Sequence, residues 1–275
     1  MEKEKNYEFL KDFYINTSYK KRLPDALFYF TMEKMKKNIY YKKDDLKKAW
    51  EIAHEIINGN KKYKLIKRGN KKLSKNTLIF DMPSIITCKH ACRDCYALKS
   101  ERMYKNTRIM RLYHFLLVEY ARIETSFIKK VIIEEIEKNI FLMKKRGVDI
   151  IPVRVHASGD FYSKNYLELW LDIIDFFKNE KSMKFYTYTK FLNENEIDEI
   201  NKKYDNFNII KSIFSIENKN YLNYGKIERI EKIQSLLNKK NIDNVLCSYG
   251  ITDNNSCMST CHACLNCSYV LFKQH

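Results

Sequence analysis

The apolar positions along the chain switch between two periods. A helical spacing is clearest over residues 44–57, and a helical pattern also covers 107–122. Ser126 opens a third helix with Ile128, Ile132, Ile136 and Ile140 on one face and Gly147 as its stop. Between these helices, NTLIFDMPS (76–84) is a short β-branched run ended by Pro83, the pattern of a buried strand. DIIPVRVHASGDF (149–161) predicts a second strand, breaking at Ser158-Gly159. Ser163 then caps a helix whose apolar face carries Tyr166, Leu169, Trp170, Ile173, Ile174 and Phe177.

The alternation continues. KFYTYTK (184–190) reads as strand, and Asn193 with Glu196 three residues on forms a capping box for the next helix. NFNIIKSIFSIE (206–217) predicts a strand, 222–238 a helix with Ile227, Ile230, Ile233 and Leu237, and NVLCSYG (244–250) a final strand. Strands alternating with helices imply a parallel sheet with crossover helices. About five such units are too few to close an eight-stranded barrel. The expected fold is α/β, a partial (β/α) barrel with parallel strands, with a doubly wound sheet as the other arrangement of the same pattern. Three regions are expected: a basic, mostly helical layer over 1–72, the barrel over 73–250 and a cysteine-rich metal-binding tail over 251–275.

In parallel α/β proteins functional groups gather at the C-terminal strand ends. That rule brings together the loop after Pro83, His156-Ala157-Ser158-Gly159-Asp160, Tyr188-Thr189-Lys190, Ser215-Ile216-Glu217 and Cys247. Arg154, His156 and Ser158 share one strand face by the two-residue period. Arg154, the deepest, is expected to find a carboxylate inside the barrel. Lys190 is placed to meet a carboxylate or a phosphate. His156 alone reads equally as a hydrogen-bonded core histidine, and SGD followed by Ser163 also describes a turn and a cap.

The eight cysteines change the picture most. None falls in residues 1–87; Cys88, Cys92 and Cys95 lie in TCKHACRDCYA, and Cys247, Cys257, Cys261, Cys264 and Cys267 lie near the C-terminus. Clustered cysteines in a chain of 275 residues without a secretory signal point to metal or iron–sulfur ligation rather than a disulfide framework. Three thiolates at C-x3-C-x2-C spacing can hold three irons of a [4Fe–4S] cube and leave the fourth open. Zinc in a structural site takes four ligands, so the triplet would then need His90 or a distant partner. The five C-terminal cysteines exceed the four that one zinc or one cluster takes, and either metal suits them.

Charge adds a partner without identifying one. Lys and Arg exceed Asp and Glu by 17, which favours an anionic partner such as nucleic acid, and the 20 tyrosines could stack on bases. The same lysine, asparagine, isoleucine and tyrosine crowding also follows from AT-rich coding. Charged residues break every apolar run short of a membrane span, and the N-terminus has no secretory core, so a cytoplasmic, membrane-free protein is expected.

The C-x3-C-x2-C spacing resembles that of radical S-adenosylmethionine enzymes. This resemblance implies that Cys88, Cys92 and Cys95 hold a [4Fe–4S] cluster whose open iron binds S-adenosylmethionine. It further implies that Ser158, Gly159 and Asp160 contact the cofactor's amino group, with His156 and Lys190 alongside. An electron donor such as a ferredoxin or flavodoxin would serve it, and the tail would carry a second cluster or zinc. From about 74 to 267 the chain also resembles the phage and plasmid family known as gene product 88-like. The shared motifs are a strand, a triplet ending Cys95-Tyr96-Ala97, Val-Arg-x-His-x-Ser-Gly-Asp-Phe, Tyr166 and Trp170 on a helix, Phe-Tyr-x-Tyr-Thr-Lys and the cysteine-rich tail. That family names no reaction. A zinc-stabilised, basic nucleic-acid-binding protein without catalysis is the rival expectation, and a nucleic acid or nucleotide substrate would join the two.

Overall fold

The computed structural model describes residues 43–59, 62–70, 73–88, 95–121, 124–212, 244–246, 265 and 269–271. Its centre is a five-stranded sheet in the order β1-β2-β3-β4-β5. These strands are Lys67–Arg68, Leu78–Phe80, Ile151–Val155, Met183–Thr189 and Phe207–Lys211. β2 to β5 are mutually parallel and follow one another in chain order; β1 pairs antiparallel with β2 at the edge. The two-residue β1 has no alternating pattern of its own and was not expected. Sequential parallel order follows when each crossover returns the chain to the next position with the same hand.

The helices are α1 (Lys43–Ile57), α2 (Ser84–Thr87), α3 (Tyr96–Met103), α4 (Lys105–Tyr120), α5 (Thr125–Lys144), α6 (Lys164–Phe176) and α7 (Glu194–Lys203). Two starts match the expected caps. Ser163 Oγ accepts the Tyr166 N–H at 3.3 Å, and Asn193 and Glu196 form the reciprocal capping box. α5 begins at Thr125 after Glu124, without a side-chain cap, so Ser126 lies inside the helix. Gly147 adopts φ +73, the left-handed turn that ends it.

Cross-strand register sorts the side chains into faces. Leu78, Val153, Phe185 and Phe207 are aligned in one row, and Ile79, Arg154, Tyr186 and Asn208 in the next, on the opposite face. Helices cover the first face. Trp170 of α6 sets its ring edge-on to Phe80 at 5.2 Å, and Phe177 lies 6.1 Å from Phe185. α1 packs on α4 through the i, i+3, i+4 series Leu46, Ala49, Ile52, Ala53 and Ile56, all buried in the same core. Replacing Trp170, which is fully buried, by Ala is expected to cost about 3–5 kcal/mol, read as a lower urea midpoint.

Among the described residues, β6 (Asn244–Leu246) pairs in parallel with β7 (Tyr269–Leu271) in a second, two-stranded sheet, and β7 lies beside β5. The expected final strand thus pairs with a strand from the tail, where only a metal knuckle was expected. The expected strand beyond Ser212, including Glu217, and the helix over 222–238 lie outside the described residues. No helix among the described residues is long and apolar enough to cross a membrane.

Candidate functional site at the C-terminal strand ends

β2 runs into Asp81, Met82 and Pro83, then the single turn of α2, and Cys88 follows in extended conformation. Cys95 ends the loop directly before α3. Both thiols are half-buried and neither forms a disulfide. Cys92 and the tail cysteines Cys247, Cys257, Cys261, Cys264 and Cys267 lie outside the described residues. Among the described residues no group of three His, Cys, Asp or Glu side chains is gathered as a metal needs.

A buried polar network sits at the stems of this loop. Glu101 of α3 accepts the Ser84 N–H at 2.9 Å and the Ser84 hydroxyl at 3.0 Å. Arg111 of α4 donates to Glu101 at 2.9 Å, to the Ala97 carbonyl at 3.1 Å and to Ser100 Oγ at 3.1 Å. Arg108 bonds Asp45 of α1 at 2.8 Å and the Glu101 carbonyl at 2.6 Å. Asp81 pairs with Lys67, and Arg111 lies 4.0 Å away. Burial pushes the Asp81 carboxyl up, but these two cations outweigh it and hold its pKa below the usual range.

At the end of β3 the backbone of His156 takes φ +69, an uncommon conformation for a side chain with a Cβ. This turn reverses the expected side. The His156 ring meets Phe161 at 4.7 Å and Trp170 at 6.5 Å, and its Nε2 bonds the Tyr166 hydroxyl at 2.6 Å. Arg154 stays on the other face, its guanidinium 5.2 Å from the Tyr188 ring and 5.9 Å from Tyr186. The shared face expected for Arg154 and His156 is therefore not observed. Burial lowers the His156 pKa to about 3 and keeps the imidazole neutral. His114 of α4 behaves similarly. Its Nδ1–H donates to the Asp81 carbonyl at 2.7 Å, its ring stacks on Phe80 at 4.8 Å, and burial lowers its pKa to about 4.

Ser158, Gly159 and Asp160 tie three strand ends together. The Ser158 carbonyl accepts the Met82 N–H at 2.9 Å. Asp160 Oδ1 accepts from Thr189 Oγ1 at 2.6 Å and the Phe161 N–H at 2.7 Å, while Oδ2 accepts the Lys190 N–H at 2.8 Å. The Asp160 N–H in turn donates to Thr87 Oγ1 at 3.3 Å, next to Cys88. Burial outweighs these donors and raises the Asp160 pKa to about 6.

Gly159 has φ +81, and a Cβ there would lie 2.5 Å from Met82 Cβ, 2.6 Å from Thr87 Oγ1 and 2.9 Å from the Met82 carbonyl. The glycine thus lets β3's loop touch the root of the cysteine loop. Gly159→Ala is expected to cost about 3 kcal/mol from combined strain and overpacking, seen as a lowered thermal midpoint.

The structure brings the roots of Cys88, Ser158, Gly159, Asp160 and Lys190 to one sheet edge and turns His156 toward α6. Glu101, Arg111, Thr87 and Asp81 escaped the sequence reading, whereas Thr189 was expected at this rim and meets Asp160 there. The available signal was Arg108 and Arg111 among the apolar residues Ile109, Met110 and Leu112, since cations buried with such neighbours require anionic partners.

The fold and edge define an α/β protein with a sequentially ordered parallel sheet and a thiol-bearing loop at the C-terminal strand ends. The gene product 88 family model matches residues 64–271, well over half of the chain, and the protein belongs to that family. Neither the curated proteins nor the solved structures include a match.

Proposed function

We propose that the protein is an iron–sulfur enzyme of the radical S-adenosylmethionine type on a partial (β/α) barrel. Cys88, Cys92 and Cys95 hold a [4Fe–4S] cluster with one open iron. The observation that carries this reading is the position of Cys88 and Cys95 at the two ends of a short loop at the C-terminal strand ends of a mostly parallel sheet, where such folds place their reactive groups. Soft thiolate donors suit iron–sulfur ligation, and the buried Glu101 and Arg111 stems suit a loop that must present them together. Strand order without a reversal favours a barrel segment over a doubly wound sheet.

When bound, such a cluster supplies one electron for the reductive cleavage of S-adenosylmethionine. The chain's residues bind and orient that cofactor. Asp160 Oδ2, with one hydrogen bond from Lys190 N–H, can accept another from an ammonium group. Ser158 contributes backbone and hydroxyl, and the Lys190 side chain offers a cation to the carboxylate. His156, neutral and directed toward α6, supports the rim by holding Tyr166. An external one-electron donor of ferredoxin or flavodoxin type completes the system. The five tail cysteines hold a second cluster or zinc, and the positive charge favours a nucleic acid or nucleotide substrate.

The test is anaerobic reconstitution with iron and sulfide, then dithionite reduction with S-adenosylmethionine and chromatography for 5′-deoxyadenosine. Formation of 5′-deoxyadenosine that disappears in Cys92→Ala is expected. A fully loaded cluster that neither binds nor cleaves S-adenosylmethionine would sink the reading. Colourless protein carrying only zinc, with salt-sensitive binding to DNA or RNA, would favour the rival binding protein.

A further inference from the structure

The cysteine loop begins and ends on the same carboxylate. Ser84, four residues before Cys88, gives both its N–H and its hydroxyl to Glu101, six residues after Cys95. Glu101 is buried to 1% exposure, and its charge is met by Arg111, which also fixes the first turns of α3 through Ala97 and Ser100. The Glu101 backbone carbonyl is held separately by Arg108, itself anchored to Asp45 of α1. The stems on either side of the thiols are therefore joined through one buried carboxylate and backed by two helices. None of these residues is a thiol.

We infer that Glu101 is a positioning residue for metal capture: by clamping Ser84 to α3 it sets the separation of Cys88 and Cys95 before any metal arrives. This rests on the proposed metal-binding role of the triplet and adds what prepares it. An unclamped loop would have to be ordered by the metal itself, which lowers affinity because the conformational entropy of the free loop is then lost on binding. Glu101 touches no thiol and acts through Ser84, so the loss expected on its removal is set by analogy with groups that orient metal ligands, roughly 10- to 100-fold.

The experiment titrates the reduced full-length chain with Co2+ under anaerobic conditions and follows the thiolate-to-cobalt absorption in competition with a chelator. The Cys88→Ser/Cys92→Ser/Cys95→Ser variant supplies the tail's contribution, and the difference isolates the triplet. Glu101→Gln is expected to weaken triplet affinity roughly 10- to 100-fold while tail affinity stays the same, and Glu101→Asp to restore part of the loss. Ser84→Ala, which keeps the Ser84 N–H bond, is expected to weaken it less and serves if Glu101→Gln does not fold. A purely stabilising residue would lower the thermal midpoint and leave triplet affinity within twofold of wild type, and that result overturns the inference. If the triple-serine variant takes up cobalt as wild type does, the triplet binds no metal and both readings fail. Loss of affinity in the triple-serine variant but not in Glu101→Gln or Ser84→Ala overturns the clamp alone.

Discussion

His114 and His156, opposed by Asp160, together lower the stability of the folded protein by roughly 4 kcal/mol on acidification from pH 7 to pH 4. His114 and His156 carry pKa values of about 4 and about 3 when folded, against about 6.5 when unfolded. Between pH 6.5 and 4 the unfolded chain binds protons that the folded chain refuses. Each such histidine then costs about 1.4 kcal/mol per pH unit. Asp160 works in the opposite direction. Its folded pKa of about 6 exceeds the ordinary 3.8, so folding binds a proton in this window and acid relieves a penalty of about 3 kcal/mol. Two histidines against one aspartate leave a net loss. Urea unfolding at pH 7.5, 5.5 and 4.5 measures it. His156→Asn, which does not titrate and tolerates the left-handed backbone, should flatten the pH dependence by about one proton. A profile with the same slope in that variant contradicts the assignment.

Arg111→Ala is expected to destabilise the protein by about 3–5 kcal/mol at neutral pH. It leaves Glu101 buried without its cation, removes one of the two cations beside Asp81 and strips a donor from Ala97 and Ser100. The double variant Glu101→Gln/Arg111→Met removes both charges of the pair. It should be more stable than the sum of the two single losses predicts, because no bare carboxylate remains at Glu101. Denaturant titration of the four members of that cycle gives the coupling. A loss below about 1 kcal/mol for Arg111→Ala would mean that the pair is screened as at a surface.

Much of the frame was legible from local pattern. The strands at Leu78, Ile151, Met183 and Phe207, the Ser163 cap and the Asn193–Glu196 capping box all follow from periodicity and short-range hydrogen bonding. The position of the cysteine loop after β2 follows from the same logic. What escaped depends on contacts between distant segments or on a single backbone angle. His156 obeys the two-residue period in sequence, yet φ +69 turns its ring to the helix side. Arg154 meets Tyr186 and Tyr188, whose register across β3 and β4 is a tertiary fact. The donors that hold Asp160, from Thr189 and Lys190 some thirty residues on, are supplied by the next strand end and carry no local signal. The stems of the cysteine loop were invisible because Ser84, Glu101 and Arg111 carry no pattern until α2, α3 and α4 meet. The close approach at Gly159 to Met82 and Thr87 is likewise a contact between distant segments.

The most direct measurement is the iron, sulfide and zinc content of anaerobically purified protein, compared with the Cys88→Ser/Cys92→Ser/Cys95→Ser variant. The account predicts brown protein that loses roughly four irons and four sulfides per chain in the variant, with the tail's metal retained. Equal iron in both proteins, or zinc as the sole metal of the wild type, would contradict it.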